Sequence, residues 1–399
     1  MGADFKFVHC ADLHLGCRFS GLAAADPVLA RRLAEAAFRS FQRIVDLVRT
    51  EQADFLVIAG DIFDEGTETP RTRYRFAQEL ARTAVPCFLV RGNHDHVTSW
   101  EDSIPFPPNV TVFGPQPSTK TLDIRGHPVE VTGVSFPDLH TKTNLAAQLH
   151  GSPDRYTVAV VHCSVAGIAG SGAGYAPCQK NDLLGRGVNY WALGHIHKRQ
   201  AILENSPWAV YPGNIQGLNP DETGPKGAYL VAVTRGQAVP EFRATQEVLW
   251  QNVDLDITGK TTLNELIDGI AIPRDSLLSL TVRGRGPLDR VIRADPAGFA
   301  RQIADASGCT VAGPHLLCGP DLDPAVLMTA PTLAGETARV LPELQQLSEK
   351  ELADLLLKTW KAADTATDTL RELAAAGRLR PLLEDAARDL LGRLTEGPQ

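Results

Sequence analysis

The chain has 399 residues, 43% of them apolar and 22% charged, and its formal net charge is −8. This composition is typical of globular proteins and argues against global disorder, while the length favours two or three domains. A net negative charge offers no global attraction for polyanions, so any contact with nucleic acid has to be local. No apolar run approaches the ~20 residues that span a bilayer, and the N-terminus lacks the layout of a signal peptide. We therefore expect a cytoplasmic protein without a membrane segment.

The cysteines form an odd set without any C-x-x-C pair, so neither a disulfide framework nor a zinc knuckle is indicated. We expect most of them to be reduced residues of the core. They are Cys10, Cys17, Cys87, Cys163, Cys178, Cys309 and Cys318.

From residue 5 to about 245, short β-rich runs alternate with helical stretches, which predicts an α/β layer protein. The runs cover residues 5–9, 55–59, 87–91, 157–162 and 190–193. Between the first two runs, apolar residues recur at steps of three and four and define one helix face that should pack on the sheet. They are Leu33, Ala37, Phe41, Ile44 and Val48.

The character of the chain changes near residue 245, and we predict domain boundaries at residues 1–245, 246–335 and 336–399. A predicted strand at 277–282 makes the middle part a small α+β domain. In the last part, Ser348 with Glu351 fits a capping box, Gly377 a helix stop and Pro381 a first helical turn, which together predict a helical hairpin. Its apolar stripes should bury either against the chain itself or against a partner. The stripes are Leu352, Leu355, Leu356 and Trp360, and Leu383, Ala387, Leu390 and Leu394.

Polar segments follow each of the five predicted strands. In open α/β sheets, ligands collect beyond the carboxyl ends of strands, and side chains two apart in an extended segment share a face. Carboxylate, imidazole and amide ligands without thiolates suit Mn²⁺, Fe²⁺ or Zn²⁺, with Mn²⁺ as the first choice. The segments are Asp12-Leu13-His14, Gly60-Asp61-Ile62-Phe63-Asp64, Gly92-Asn93-His94-Asp95, His162 and Gly194-His195-Ile196-His197.

Each segment alone also has an ordinary structural interpretation. Gly92-Asn93-His94-Asp95 fits a tight turn, His162 a hydrogen-bonded core histidine, and Asp64 a turn acid or the N-cap of a helix over residues 67–75. Their joint occurrence in this order, each after a β-rich run, is much harder to explain structurally. The sequence therefore predicts a metal site.

The ordered motifs D-x-H, G-D-x-x-D, G-N-H-[DE], a lone His and G-H-x-H resemble those of the calcineurin-like metallophosphoesterase superfamily over about residues 5–245. The resemblance implies a two-sheet α/β sandwich flanked by helices, with the second domain as a cap and the C-terminal helices as a separate segment. Within that superfamily the chain looks most like SbcD-type DNA exonuclease subunits and YhaO-like DNA repair exonucleases. This narrower likeness rests on residues 7–15, 60–64, 211–216 and 223–230.

The resemblance also implies roles for individual residues. One divalent ion, expected to be Mn²⁺, would be held by Asp12, His14, Asp61 and His197, and a second by Asp61, Asn93, His162 and His195, with Asp61 as the bridge. His94 would face the phosphate as a charge stabiliser or proton donor, and Asp64 would orient it.

The implied function is dimetal-dependent DNA cleavage in repair and recombination, as a 3′-to-5′ exonuclease with single-strand endonuclease activity, beside an SbcC-like coiled-coil ATPase. A homodimer is left open. The alternatives are a phosphatase or cyclic-nucleotide phosphodiesterase on the same core, and a non-catalytic scaffold for the ATPase. Protein phosphatases place Arg-Gly where Glu65-Gly66 stands here, which disfavours the first alternative. The alternatives for Arg18, Arg91 and Lys226 are local basic contacts for DNA and solvated surface charges.

Overall fold

The structure is a computed structural model that describes residues 4–17, 27–64, 69–97, 104–168, 174–268, 270, 272–359 and 364–395. Arg18, Glu65, Gly66 and Trp360, which figure in the sequence predictions, lie outside these ranges. The chain divides into two compact units, Met1–Asn252 with Asp275–Leu277, and Val253–Arg274 with Leu278–Gln399. The three-part division at residues 245 and 335 stays a prediction.

The first unit contains two mixed six-stranded sheets. The strands are β1 Phe5–Cys10, β2 Phe55–Ala59, β3 Cys87–Val90, β4 Val110–Val112, β5 Ser118–Ile124, β6 His127–Val134, β7 Tyr156–His162, β8 Ser164–Val165, β9 Pro177–Cys178, β10 Tyr190–Gly194, β11 Gln200–Leu203, β12 Trp208–Tyr211, β13 Gly227–Thr234 and β14 Gln237–Ala244. In the first sheet the strand order is β14-β13-β1-β2-β3-β4, and in the second it is β11-β12-β10-β7-β6-β5. Strands β8 and β9 pair in a separate two-stranded sheet.

The two sheets pack face to face around one apolar core. Phe7 and Phe55 of the first sheet belong to the same buried cluster as Val160 and Tyr190 of the second. The rings of Phe7 and Tyr190 meet edge to face with centroids 5.0 Å apart. The predicted two-sheet sandwich is therefore confirmed.

Helices α1, Pro27–Thr50, and α2, Pro70–Thr83, cover the outer face of the first sheet. All five residues of the predicted helix face in α1 are buried, as expected for an amphipathic helix on a sheet. Helix α2 is capped by Thr69, whose side chain accepts a hydrogen bond from the Thr72 backbone N–H. The interpretation of Asp64 as the N-cap of this helix is therefore wrong.

Five of the predicted strands end at one edge of the sandwich. β1, β2 and β3 run parallel in the first sheet, and β7 and β10 run parallel in the second. The observed bounds differ from the predicted runs by at most one residue at either end. Because parallel strands bring their carboxyl ends to one edge, the loops after these strands can meet there.

The second unit has its own apolar core. The elements of this part of the chain are β15 Trp250–Asp256, α3 Asn264–Ile267, β16 Leu277–Arg283, α4 Leu288–Ala294, α5 Pro296–Ser307, β17 Thr310–Leu316 and α6 Pro324–Leu327. The three-stranded sheet β15-β16-β17 packs with α4 and α5 around buried residues such as Leu280, Ile292 and Ile303. The predicted strand at 277–282 is observed as β16.

The C-terminal segment forms α7 Leu333–Gln346, α8 Glu349–Thr359, α9 Asp364–Ala375 and α10 Leu379–Thr395. The capping box is confirmed, because the Ser348 N–H donates to the Glu351 carboxylate over 2.8 Å and the Glu351 N–H donates to Ser348 Oγ over 3.3 Å. Gly377 takes a φ of 66° just after α9, as a helix stop requires. The described residues of this segment therefore form four helices rather than a two-helix hairpin, and Ser348 and Gly377 mark two of the breaks between them.

The apolar stripes of these helices are divided between interior and surface. Leu352 is buried with Leu370 and Leu379, and Leu356 and Leu383 pack against that cluster. Leu355 and Leu390 are exposed. No helix among the described residues is long and apolar enough to cross a membrane.

Candidate metal centre

The loops after β1, β2, β3 and β10, together with the last residue of β7, bring together all seven residues that the sequence predicts as metal ligands. Two compact groups result, Asp12 with His14 and His197, and Asp61 with His162 and His195, and in each group the candidate ligand atoms lie within 4.8 Å of one another. The first group combines the loops after β1 and β10, and the second combines the loops after β2 and β10 with the last residue of β7. Residues far apart in the chain therefore form one cluster.

Asp61 lies between the two groups. Its Oδ2 is 3.9 Å from His14 Nε2 and 3.3 Å from His162 Nε2. Its Oδ1 accepts the backbone N–H of His94 over 2.9 Å. One carboxylate thus faces a histidine of each group, which is the arrangement that a bridging ligand needs.

Asn93 closes the second group. Its Oδ1 is 3.0 Å from His162 Nε2 and 3.1 Å from His195 Nδ1. The other nitrogen of His162, Nδ1, lies 2.9 Å from the Ala59 carbonyl, which fixes the ring. An amide oxygen and two imidazoles are a donor set that divalent transition metals accept.

The first group carries a buried oxygen without a partner. Asp12 Oδ1 accepts the backbone N–H of His195 over 2.9 Å, whereas Asp12 Oδ2 is buried with no hydrogen-bond partner among the described residues. The Nε2 atoms of His14 and His197 face each other at 3.0 Å. An unpartnered carboxylate oxygen beside two converging imidazole nitrogens fits a divalent cation.

Three of these residues have an unusual backbone conformation that orients their side chains. Asp12, His14 and Asp61 all have φ between 45° and 53°, a left-handed conformation that residues other than glycine rarely adopt. Such conformations concentrate at functional sites. A Cβ at Gly92 would come within 2.1 Å of Asp61 Oδ1, so this position has to be glycine for the carboxylate to sit where it does.

Burial and charge act strongly on the acidic groups of this site. Burial raises the pKa of Asp12. Burial also opposes the ionisation of Asp61, but the surrounding histidines, His162 foremost, outweigh it and hold the pKa of Asp61 well below its usual range. A divalent ion beside these carboxylates would supply further positive charge.

Burial and neighbouring charges also shift the pKa values of the histidines in this site. Burial lowers the pKa of His14, but its hydrogen bond to Asp64 and the nearby carboxylates raise that pKa to about 9. For His162, the charge of Asp61 overcomes burial and again raises the pKa to about 9. Burial and the neighbouring His162 lower the pKa of His195 to about 3.

His94 and Asp64 form a pair beside the ligand cluster. Asp64 Oδ1 is 3.0 Å from His94 Nδ1 and 2.7 Å from His14 Nδ1, so one carboxylate orients both rings. The His94 side chain is half exposed, at 50%, whereas the His14 side chain is 3% exposed. The hydrogen bond to Asp64 raises the pKa of His94. His94 therefore presents its remaining ring nitrogen towards solvent at the edge of the cluster.

The two described basic candidates have other partners. Lys226 is buried, and its Nζ donates to the His197 carbonyl oxygen over 3.1 Å. Arg91 is half-buried, and its Nη1 donates to the Val97 carbonyl oxygen over 3.4 Å. Both side chains therefore donate hydrogen bonds to backbone carbonyl groups in loops of the site.

Two acidic residues support the site without a predicted role. Asp95, within the third motif, accepts backbone N–H groups from Gly92 over 2.7 Å and Ile62 over 2.9 Å, so it joins the loops after β2 and β3. Glu222 Oε1 lies 2.7 Å from His197 Nδ1. Because Glu222 lies in a loop 25 residues after His197, no short sequence motif connects the two residues. Glu222 does directly precede the segment 223–230, which carries part of the family likeness.

Comparison with known proteins agrees with this geometry. The family model for calcineurin-like phosphoesterases matches residues 5–199. Those residues form a calcineurin-like phosphoesterase domain. The resemblance drawn from the motifs is confirmed, and the coarse activity class is that of a metal-dependent phosphoesterase.

Relatives of this chain are found among bacterial and archaeal proteins. It is 33% identical over 272 residues to the uncharacterized metallophosphoesterase YhaO of Bacillus subtilis, a match that covers 67% of this chain and 66% of YhaO. It is 25% identical to the DNA double-strand break repair protein Mre11 of Aeropyrum pernix, over 96% of both chains. A shorter match, 31% identical and covering 25% of this chain and 23% of the relative, is to the SbcD component of the nuclease SbcCD of Escherichia coli.

Proposed function

We propose that this chain is a dimetal-dependent DNA phosphodiesterase of DNA repair, a 3′-to-5′ exonuclease with single-strand endonuclease activity. The observation that carries the proposal is the position of Asp61 between the two ligand groups, 3.9 Å from His14 and 3.3 Å from His162. Asp12, His14, Asp61 and His197 would hold one ion, and Asp61 with Asn93, His162 and His195 the other. Mn²⁺ fits this oxygen and nitrogen donor set.

Two bound ions supply phosphodiester polarisation and a water of lowered pKa as nucleophile. The chain's own residues supply the rest. His94 is anchored twice, by its backbone N–H to Asp61 Oδ1 at 2.9 Å and by Nδ1 to Asp64 Oδ1 at 3.0 Å. This leaves Nε2 as the ring atom that can donate a hydrogen bond to a substrate oxygen, where it stabilises developing charge or protonates the leaving oxygen.

An open cavity of about 710 Å³ beside His195 and His197 supports a chain-like substrate. Lys198 and Arg199 line it and are exposed, so they supply local positive charge on a chain whose net charge is negative. The names of the Mre11 and SbcCD relatives support DNA as that substrate and repair as the setting.

The exposed leucines of the C-terminal helices support a partner surface. Leu382 and Leu390 on α10 are about half exposed, at 52% and 48%. We propose that they contact the coiled-coil root of an SbcC-like ATPase, because large exposed apolar side chains gathered on one segment commonly mark interaction sites. A homodimer remains a further proposal.

The test is cleavage of end-labelled single-stranded and duplex DNA, with bis-p-nitrophenyl phosphate as a small diester, in the presence and absence of Mn²⁺. We expect Mn²⁺-dependent DNA cleavage that releases nucleotides from the 3′ end. Cleavage of small esters alone would favour the phosphatase or cyclic-nucleotide alternative. ATPase binding without hydrolysis of any substrate would favour the scaffold.

A further inference from the structure

His197 is held at both nitrogens of its ring. Nε2 faces His14 Nε2 at 3.0 Å, inside the first ligand group. Nδ1 points away from the group and lies 2.7 Å from Glu222 Oε1. The ring therefore connects the proposed metal position to a carboxylate behind it.

Glu222 is itself fixed by the loop that follows β12. Its Oε2 accepts hydrogen bonds from Asn214 Nδ2 over 2.6 Å and from the Leu218 backbone N–H over 2.7 Å. With Oε2 bound by two donors and Oε1 facing His197 Nδ1, both oxygens of Glu222 are placed as hydrogen-bond acceptors.

A carboxylate at Nδ1 decides where the imidazole proton lies. Because Glu222 accepts, His197 Nδ1 carries the hydrogen, and in the neutral ring the lone pair is left on Nε2. Asp64 does the same to His14, whose Nδ1 lies 2.7 Å from Asp64 Oδ1. Two lone pairs that face each other at 3.0 Å repel unless a cation or a proton lies between them.

The support differs in the second ligand group. His162 Nδ1 lies 2.9 Å from the neutral carbonyl oxygen of Ala59 and 3.8 Å from the Asp12 carboxylate, so its hydrogen-bond partner is the carbonyl. A carboxylate behind an imidazole raises the basicity of the ligand and fixes its orientation more strongly than a neutral carbonyl does. The two groups should therefore respond differently to the loss of Glu222.

We propose that Glu222 is a positioning residue for metal binding, which fixes the Nδ1–H tautomer and the orientation of His197 and so strengthens the Asp12–His14–His197 site alone. This inference rests on the metal centre of the proposed function and is independent of the substrate. Glu222 need not touch metal or substrate, because it acts through the His197 ring.

The test is calorimetric titration of the metal-free full-length chain with MnCl₂, comparing the parent with Glu222→Gln, Glu222→Ala and Asp221→Asn. Asp221 is the matched control, since it lines the same cavity and is exposed. We expect both Glu222 variants to weaken one class of Mn²⁺ site by about 10- to 100-fold, the range found for such supporting partners. The other class and the control should change by less than about threefold.

The ring nitrogens of His197 provide a readout that loop stability alone would not move. In ¹⁵N spectra of the metal-free protein, assigned with a His197→Gln variant, the parent should show the Nδ1–H tautomer. Glu222→Gln places an amide with one acceptor oxygen among three donors, so the Nε2–H tautomer should gain population. Glu222→Gln also preserves the side-chain shape, so the test survives if Glu222→Ala fails to fold.

Parent-like Mn²⁺ binding in both Glu222 variants, or equal weakening of both classes, would overturn the role of Glu222 and leave the proposed function standing. A parent protein that binds Mn²⁺ with the expected Glu222 dependence but cleaves no DNA would overturn the proposed function alone. A parent that binds no Mn²⁺ would overturn both.

Discussion

The metal centre and the C-terminal helices α7–α10 depart from ordinary protein structure in opposite directions. At the metal centre, charged groups are buried, since Asp12, Asp61 and His162 are at most 1% exposed. On α10, apolar groups are exposed instead, with Leu382 at 52%. Buried charge costs free energy unless it is paired or binds a metal, and large exposed apolar surface is uncommon on monomers. In the proposed function, the first departure serves ion binding and the second serves contact with a macromolecule.

The substitution with the largest expected effect on the metal centre is Asp61→Ala. Because one carboxylate faces both ligand groups, its loss should abolish binding of both ions and reduce phosphodiester cleavage to background. Elemental analysis of the purified protein measures the metal content, and Asp154→Ala, at an exposed loop position, is the control. Full occupancy of two ions in Asp61→Ala would contradict the bridging assignment.

His94→Ala separates binding from catalysis within the same region. The variant should retain both metals and lose about 10²- to 10⁴-fold in cleavage rate, the usual contribution of a proton donor or charge stabiliser. His127→Ala is the matched control, because His127 is exposed at the start of β6, whereas the metal site lies where its neighbour β7 ends. A near-parental rate with metals retained would make His94 a turn residue.

Removal of metal should destabilise the first unit, which contains the metal centre. An ion that binds only the folded state at about 100 times its Kd adds roughly 2.7 kcal/mol, or about 5 kcal/mol for two ions. Chelation with EDTA should therefore lower the melting temperature of the first unit, and Mn²⁺ should restore it. Differential scanning calorimetry measures this, and an unchanged transition would argue against resident metal.

Two leucines of α10 test the other region. Leu379 is buried and Leu382 is half exposed on the same helix, so Leu379→Ala should cost about 2–4 kcal/mol of folding free energy and Leu382→Ala less than about 0.5 kcal/mol. Urea unfolding compares them. If α10 contacts the ATPase, Leu382→Ser should lose co-purification with an SbcC-like ATPase while it keeps Mn²⁺-dependent cleavage. Unchanged co-purification would show that Leu382 does not contribute to the partner surface.

Much of the fold could be predicted because its signals are local. The strands after which the candidate ligands lie are nearly continuous apolar runs, and α1 repeats its apolar residues at helical spacing, so both patterns are visible within a few residues. The antiparallel strands β13 and β14 were not predicted. β13 is largely buried, whereas β14 alternates buried or partly buried with exposed positions at the edge of the first sheet, and such edge strands depend on their neighbours for definition.

The sequence by itself determined the candidate ligand types, their order and the strands that they follow, because each motif is a short segment at the end of an apolar run. Only the tertiary structure decided which groups support them. Glu222 reaches His197, Asp95 joins two loops, and Lys226 turns to the His197 carbonyl instead of the solvent. These contacts depend on where separate loops meet in space. Hydrogen bonds between distant loops produce no periodic pattern in the sequence.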